Sequence, residues 1–195
     1  MRDDLIQGKI LYVSMNRMLK FGFRKVTMDE IAGDLGMSKN TIYKYFPSKS
    51  RMAEALFSSL EKEINHELSL IEESNKDPLE VISKSIFFIQ QKMAPWFEHF
   101  LGDIRFELPE VWQRFIRFRN EKIYGIKDLI EAGIKKGKFR KINTSLAVGV
   151  YMGAIDYVLN PEFLANEKIS FADALDGVLD IWSSGILMTK EKKGS

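Results

Sequence analysis

The sequence of 195 residues contains no cysteine, which excludes disulfide bonds and thiolate metal sites and fits the reducing cytoplasm. It has only two histidines, neither in a recognised catalytic motif, so we expect no enzymatic activity. The longest apolar run, over 146–155, is too short to span a bilayer, and the first residues do not resemble a signal peptide. We therefore expect a cytoplasmic protein without a membrane partner.

Nearly the whole chain shows the 3.6-residue apolar spacing of helices, and its five prolines lie between the periodic segments. No alternating run of β-branched residues indicates a hairpin. Short helices give way to long ones near residue 47. We predict an all-α fold, with a three-helix module over 1–47 and a larger bundle of about six helices over 48–195. The predicted helices cover 3–21, 28–35, 39–46, 48–74, 78–92, 96–107, 110–136, 144–159 and 171–189.

The charge is unevenly distributed. Residues 1–55 carry ten Lys or Arg against six Asp or Glu, whereas the remainder carries nineteen against twenty-one. A basic end on a slightly acidic body suits contact with a polyanion.

The segment 22–49 has the capping and turn residues of a helix-turn-helix. Thr27 and Glu30 have capping-box spacing, which predicts a helix from residue 28. Gly36 permits a sharp turn, and Ser38 can cap the next helix. Two short helices joined by such a turn are typical of DNA-binding modules.

The second of these helices separates apolar from polar side chains. Ile42 and Phe46, four residues apart, face inward. No carboxylate occurs between Asp34 and Glu54, so the outer face can enter a major groove without repulsion from phosphates. The projecting residues are Lys39, Asn40, Thr41, Tyr43 and Lys44.

This block resembles the tetracycline-repressor (TetR-type) regulators, and the stretch 41–49 is especially similar to the recognition helix of that family. The chain departs from the family pattern at Ser14, Met18 and Arg51. The resemblance covers about the first quarter of the chain, and beyond it only the architecture and a turn at 133–139 look similar. The matching residues are Gly22, Thr27, Ile31, Ala32, Gly36, Ser38, Thr41, Tyr43, Phe46 and Lys49.

The resemblance implies two sets of contacts with double-stranded DNA. Phosphate contacts fix position, whereas contacts with base edges read sequence. Asn40 has the donor and acceptor for adenine, and a lysine can donate to guanine. Each of these residues has the alternative of being an ordinary packing or solvated side chain. The implied phosphate contacts are Thr27, Tyr43, Tyr45 and Lys49, and the implied base contacts are Lys39, Asn40, Thr41 and Lys44.

The last two long helices carry apolar residues on more than one face, which suggests burial against both the body and a partner. In the resembled family these helices form a four-helix interface between two copies. We therefore expect a homodimer, with a purely internal core as the alternative. The candidate interface residues are Tyr151, Phe171, Leu175, Val178, Trp182 and Ile186.

The middle helices are rich in aromatic residues, which usually form core. Similar regulators bind an effector among these helices, so the resemblance implies a pocket for a small apolar or aromatic ligand. The candidate pocket residues are Phe88, Trp96, Phe100, Phe106, Trp112, Phe115 and Phe118.

Metal and cofactor sites are not expected. Glu63 and His66 have the Glu-x-x-His spacing of di-iron bundles, but Trp96 stands where a second pair would need a glutamate before His99. The leading hypothesis is a repressor that binds a pseudo-palindromic operator as a homodimer and is released by a ligand. The alternative is a DNA-binding protein without an effector, in an architectural or partner-controlled role, and a helical enzyme ranks last.

Overall fold

The computed structural model describes residues 2–187, with all side chains in that range except those of Arg2, Glu98, His99 and Pro161. These residues form ten α-helices and one π-helical segment, which confirms the all-α prediction. The helices are α1 (Arg2–Phe21), α2 (Met28–Leu35), α3 (Lys39–Tyr45), α4 (Lys49–Ser74), α5 (Pro78–Pro95), α6 (Leu101–Glu107), α7 (Pro109–Lys135), α8 (Thr144–Val158), α9 (Pro161–Glu167) and α10 (Phe171–Ile186), and the π-helical segment spans Trp96–Phe100 between α5 and α6.

Two features differ from the predicted helices. α5 extends to Pro95 instead of ending at residue 92, and the backbone then widens into the π-helical segment. Proline lacks the N–H that continues an α-helical ladder, which accounts for the change at this point.

The short helix α9 was not predicted. The Asn160 side chain accepts the Glu162 N–H at 2.8 Å to begin it, and Lys168, with φ 55°, ends it in the left-handed region. The predicted end of the last helix at 188–189 lies outside the described residues.

The contacts of the chain divide it into two compact units. Unit 1 comprises Met1–His66 and Lys92–Arg117, and unit 2 comprises Glu67–Gln91 and Phe118–Ser195. The divisions fall inside α4, α5 and α7, so each unit is assembled from separate parts of the sequence. The two-domain prediction, with its boundary at residue 47, stays a prediction. No helix of the described part of the chain is long and apolar enough to cross a membrane.

Unit 1 is built around the first helices. α1 packs against both α2 and the π-helical segment, and α2 packs against α3. Ile31 and Ile42, one from each helix of the helix-turn-helix, are fully buried. Ser14, one of the departures from the family pattern, is also fully buried, and its hydroxyl donates to the Ile10 carbonyl at 2.7 Å. The polar residue is tolerated because its hydrogen bond is satisfied within the helix.

Unit 2 has one continuous apolar core formed by α5, α7, α8 and α10. The turn after α7 closes this core by burying Phe139. Its ring lies directly against Gly133, where an added Cβ would come within 2.1 Å of the ring, so only glycine fits there. The buried core residues are Ile82, Ile86, Ile123, Ile130, Phe139, Ala147, Val148, Tyr151, Ile155, Leu175, Val178, Trp182 and Ile186.

Candidate nucleic-acid interface

The start of α2 is fixed by a complete capping box. The Thr27 hydroxyl accepts the Glu30 N–H at 3.3 Å, and the Glu30 carboxylate accepts the Thr27 N–H at 2.8 Å. These hydrogen bonds from Thr27, with a further one from Arg17, lower the pKa of Glu30. Thr27 is exposed, and its contact with a phosphate stays a prediction. Its hydroxyl also donates to the Glu30 carboxylate at 2.9 Å.

A short turn sets α3 against α2. Gly36 ends α2 with φ 61°, in the left-handed region that favours glycine. The Ser38 hydroxyl then accepts the Thr41 N–H at 3.1 Å and begins α3. This is the cap pair that the sequence predicts, and it gives two helices of eight and seven residues joined by a three-residue turn.

The two faces of α3 divide as the spacing predicts. Ile42 is fully buried, and Phe46 just beyond the helix is also buried. The exposed residues of the helix are Lys39, Asn40, Tyr43 and Lys44, while Thr41 and Tyr45 are half-buried. The outer face therefore presents ammonium, amide and phenol groups and carries no carboxylate of its own.

Several of these polar groups already have partners. Lys39 forms an ion pair with Asp29 of α2, and the Lys44 ammonium lies 5.6 Å from the ring centroid of Tyr45. The Tyr45 hydroxyl donates to Asp3 of α1 at 2.7 Å. The spacing of residues within α3 does not indicate either carboxylate, because each approaches α3 from another helix.

The ammonium of Lys49, one of the implied phosphate contacts, is hydrogen-bonded within unit 1, and its contact with a phosphate stays a prediction. Its ammonium donates to the carbonyls of Phe23 and Val26 at 2.9 Å each and to that of Arg24 at 3.4 Å, and it lies 4.4 Å from the ring centroid of Phe23. Burial lowers the pKa of this ammonium. All three of its protons point at the loop between α1 and α2. The observed role of Lys49 is therefore to hold that loop, and a phosphate contact would require it to give up a carbonyl.

Arginines outside the predicted set hold the helices of unit 1 together. Arg17 of α1 pairs with Asp34 at 2.5 Å and with Glu30 at 2.9 Å, and these contacts, the one with Asp34 above all, raise the pKa of the guanidinium. Arg24 donates its backbone N–H to Asp103 at 2.8 Å and its Nε to Glu107 at 2.9 Å. No short-range pattern in the sequence indicates pairs separated by 79 or 83 residues.

The predicted pocket residues do not gather in one unit. Phe88 and Phe118 belong to unit 2 and the other five to unit 1. The rings in unit 1 pack on each other: Trp96 and Phe100 are 4.9 Å apart, and Trp112 and Phe115 are 5.4 Å apart, between centroids. Phe106 is 72% exposed. The pocket stays a prediction, and most of its candidates in unit 1 serve at least as core.

The predicted interface residues lie mainly inside unit 2. Five of the six are buried in its core and Phe171 is half-buried. The surfaces of the same two helices carry other apolar side chains: Leu146, Val150 and Tyr157 on α8 and Ile181 on α10 are 57–76% exposed. An open groove of about 380 Å³ lies beside three of them, Leu146, Val150 and Ile181. It is lined by Arg140, Ile142, Asn143, Leu146, Ala147, Val150, Ile181, Trp182, Gly185 and Ile186.

Metal ligands do not cluster in the described part of the chain, where no three His, Cys, Asp or Glu side chains are placed to share an ion. Glu63 of the Glu-x-x-His pair forms an ion pair with Lys92. The side chain of His99 lies outside the described residues.

Comparison with known proteins places this interface in a family. Residues 10–56, which contain the whole helix-turn-helix, match the family described as bacterial regulatory proteins, tetR family. The chain is 25% identical over 176 residues to the uncharacterized HTH-type transcriptional regulator YvaF of Bacillus subtilis (strain 168), covering 90% of this chain and 93% of that protein.

Solved structures share the fold over nearly the whole chain. A TetR transcription regulator from Haloarcula marismortui has a TM-score of 0.74 at 17% identity, with 93% of this chain and 98% of that chain covered. A regulator from Saccharomonospora viridis, solved in complex with choline, has a TM-score of 0.75 at 16% identity, with 95% and 100% covered. Residues 10–56 therefore carry the helix-turn-helix of the tetR family of bacterial regulatory proteins, and the chain is a DNA-binding transcriptional regulator.

Proposed function

We propose that this regulator is a repressor that binds a pseudo-palindromic operator as a homodimer and is released by a small ligand. The observation that carries the DNA-reading part is the outer face of α3, which carries hydrogen-bond donors and no carboxylate of its own on a helix capped by Ser38. A helix of this kind fits the major groove, where exposed base edges offer acceptors. Because DNA is the partner, the proposal places the protein in the cytoplasm.

The proposed contacts follow from exposure and chemistry. Asn40 and Lys44 are exposed and assigned to base edges, together with Lys39 and Thr41. Tyr43, which is 44% exposed, is assigned to a phosphate together with Thr27 and Tyr45. Lys49 is assigned an indirect role, because its ammonium holds the loop that precedes α2.

The homodimer is supported by the apolar surface of α8 and α10. Leu146, Val150 and Ile181 are each more than half exposed and border one groove. Exposed apolar patches of this kind typically mark interaction sites. A pair of copies meeting on this face would bury these side chains and leave the core residues beneath them, such as Trp182, in place. Two recognition helices in one assembly would read two half-sites.

Release by a small apolar or aromatic ligand is supported by the family and by the choline complex of the Saccharomonospora viridis regulator, a protein of the same fold. The described rings of unit 1 also favour the alternative, a DNA-binding protein without an effector, because Trp96, Phe100 and Phe115 are buried against other rings. A thermal-shift screen of apolar, aromatic and quaternary-ammonium compounds separates the two. The proposal expects a compound that raises the Tm and weakens DNA binding, whereas shifts without any effect on DNA binding would favour the alternative.

The DNA-reading part is tested by selecting duplexes from a random pool at moderate salt with the full chain. The proposal expects enrichment of a two-fold symmetric sequence. Asn40→Ala should change the preference at one base position in each half-site and keep binding to the rest of the sequence. Failure to enrich any sequence, with a folded protein, would overturn the proposal.

A further inference from the structure

Two carboxylates from neighbouring helices hold side chains of α3 that the proposed function assigns to DNA. Asp3, in the first turn of α1, accepts the hydroxyl proton of Tyr45 at 2.7 Å. Asp29, in the first turn of α2, forms an ion pair with Lys39. Asp3 and Asp29 are exposed, so both carry their charge at the protein surface.

We infer that Asp3 and Asp29 are intramolecular competitors of DNA, which occupy the Tyr45 hydroxyl and the Lys39 ammonium until a phosphate or base edge replaces them. This inference rests on the proposed function, since it concerns the same surface. It assigns a role to two acidic residues that do not themselves contact DNA. They lower the affinity for DNA, because the contacts of Tyr45 and Lys39 with them must be broken before DNA binds.

The competition is strictest at Tyr45. A phenol has one proton, so it cannot donate to Asp3 and to a phosphate oxygen at once. A carboxylate and a phosphate oxygen are both anionic acceptors, and exchanging one for the other gains little energy. The Asp3 charge would also stand close to the incoming phosphate and repel it. An ammonium has three protons, so Lys39 can keep Asp29 while it donates elsewhere, and its competition is weaker.

The alternative role for Asp3 is to position Tyr45. The hydrogen bond then holds the phenol in the geometry that DNA requires, and the Tyr45 ring in turn lies under the Lys44 ammonium, 5.6 Å away. The two roles predict opposite changes in the affinity for DNA when Asp3 is replaced. Removing a competitor strengthens DNA binding, whereas removing a positioning group weakens it.

The test is a double-mutant cycle with Asp3→Ala, Tyr45→Phe and the double variant. It is measured as the Kd for a 24-base-pair mixed-sequence duplex at low salt, because a phosphate contact is independent of sequence. We expect Asp3→Ala to tighten binding about fivefold in the wild-type background, which is the net contribution of one typical hydrogen bond. In the Tyr45→Phe background we expect Asp3→Ala to tighten binding by less than about twofold, because only the repulsion between the Asp3 charge and DNA is then removed. Circular dichroism checks that all variants fold.

Three outcomes overturn the inference. Equal tightening in both backgrounds would mean that Asp3 acts only through its charge, and weaker binding by Asp3→Ala would make it a positioning residue. No effect in either background would remove Asp3 from DNA binding altogether. In each of these cases the wild-type protein still binds DNA and the proposed function stands. Failure of the folded wild-type protein to bind any duplex would instead overturn both.

The Asp29 arm uses a duplex enriched by selection, because Lys39 is assigned to a base edge. We expect Asp29→Asn to tighten binding about twofold to threefold, and this gain should disappear in the Lys39→Ala background. Asp128→Asn, which removes one exposed charge from unit 2, is the control and should leave the Kd unchanged. An equal gain from Asp128→Asn would show that net charge is sufficient, and Asp29 would then have no specific role.

Discussion

Units 1 and 2 expose different chemistry on their surfaces. Around the helix-turn-helix of unit 1, polar groups are held by partners on other helices, as Arg17 is by Glu30 and Asp34. In unit 2, large apolar side chains such as Ile181 and Leu146 stand in solvent beside an open groove. The contacts in unit 1 fix the helices that carry the exposed donors of α3, and a surface of donors suits a polyanion. The surface of unit 2 leaves apolar area uncovered, which suits a protein partner.

The largest expected effect is a loss of stability, which should differ between the buried and the exposed apolar residues of α10. Trp182 is buried, and its indole N–H donates to the Ala147 carbonyl at 2.8 Å. Trp182→Ala leaves a cavity and removes the indole hydrogen bond, so we expect the free energy of unfolding to fall by about 3–5 kcal/mol. Urea unfolding at low protein concentration measures it. The neighbouring Ile181→Ala is the matched control, with an expected change below about 0.5 kcal/mol, because Ile181 is 76% exposed. Equal losses would contradict the division between the two sets.

The next effect concerns association. Ile181→Asp places a charge on the exposed apolar face and should raise the dimer dissociation constant by about thirtyfold, which corresponds to one central interface residue. Sedimentation velocity across a range of protein concentrations measures this. Tyr124→Asp, on an exposed residue of α7, is the control and should leave association unchanged. A wild-type protein that is monomeric at micromolar concentration would contradict the assignment of this face.

A smaller effect is expected when the helix N-cap residues of the two units are replaced. Thr27→Ala removes the first half of the capping box of α2 and should cost about 1 kcal/mol of stability. Asn143→Ala removes the cap of α8, where Asn143 accepts the Leu146 N–H at 3.0 Å, and should cost a similar amount. Only the first should also weaken DNA binding, because Thr27 is an assigned phosphate contact and α2, which it caps, packs against the recognition helix. Equal losses of DNA affinity would show that the effect is one of general stability.

The smallest effect is a pH dependence in unit 1. The hydrogen bonds of Glu30 lower its pKa in the folded protein from an ordinary value of 4.5. Its stabilising contribution is therefore present above that ordinary value and is lost as the pH falls through the lowered folded pKa. The difference in unfolding midpoint between the wild-type protein and Glu30→Gln should shrink as the pH falls from 7 to 3. A difference that stays constant over this range would contradict the assignment.

The sequence predicts the parts of the fold that are fixed by neighbours in the chain. The bounds of α2 follow from Thr27 and Gly36, within ten residues of each other, and the inward face of α3 follows from the spacing of Ile42 and Phe46. α9 was missed although Asn160 followed by Pro161 is a typical helix start, because the helix has only seven residues and no clear apolar period.

Contacts between distant segments could not be predicted. α10 has apolar residues on several faces, and periodicity alone does not tell which face meets the core. The predicted interface residues Leu175 and Trp182 lie in the core, and Ile181 lies outside it. The ion pairs of Arg17 and Arg24 and the hydrogen bond between Asp3 and Tyr45 likewise depend on how separate helices pack.

The central claim is that the outer face of α3 reads DNA, and the affinity of Lys44→Ala for a duplex enriched by selection tests it most directly. Lys62→Ala, on an exposed lysine of α4 in the same unit, is the control. The account predicts that Lys44→Ala weakens binding at least about tenfold, as expected for a bidentate base contact, while Lys62→Ala stays within about twofold of the wild-type protein. Wild-type affinity in Lys44→Ala, or equal losses in both variants, would contradict it.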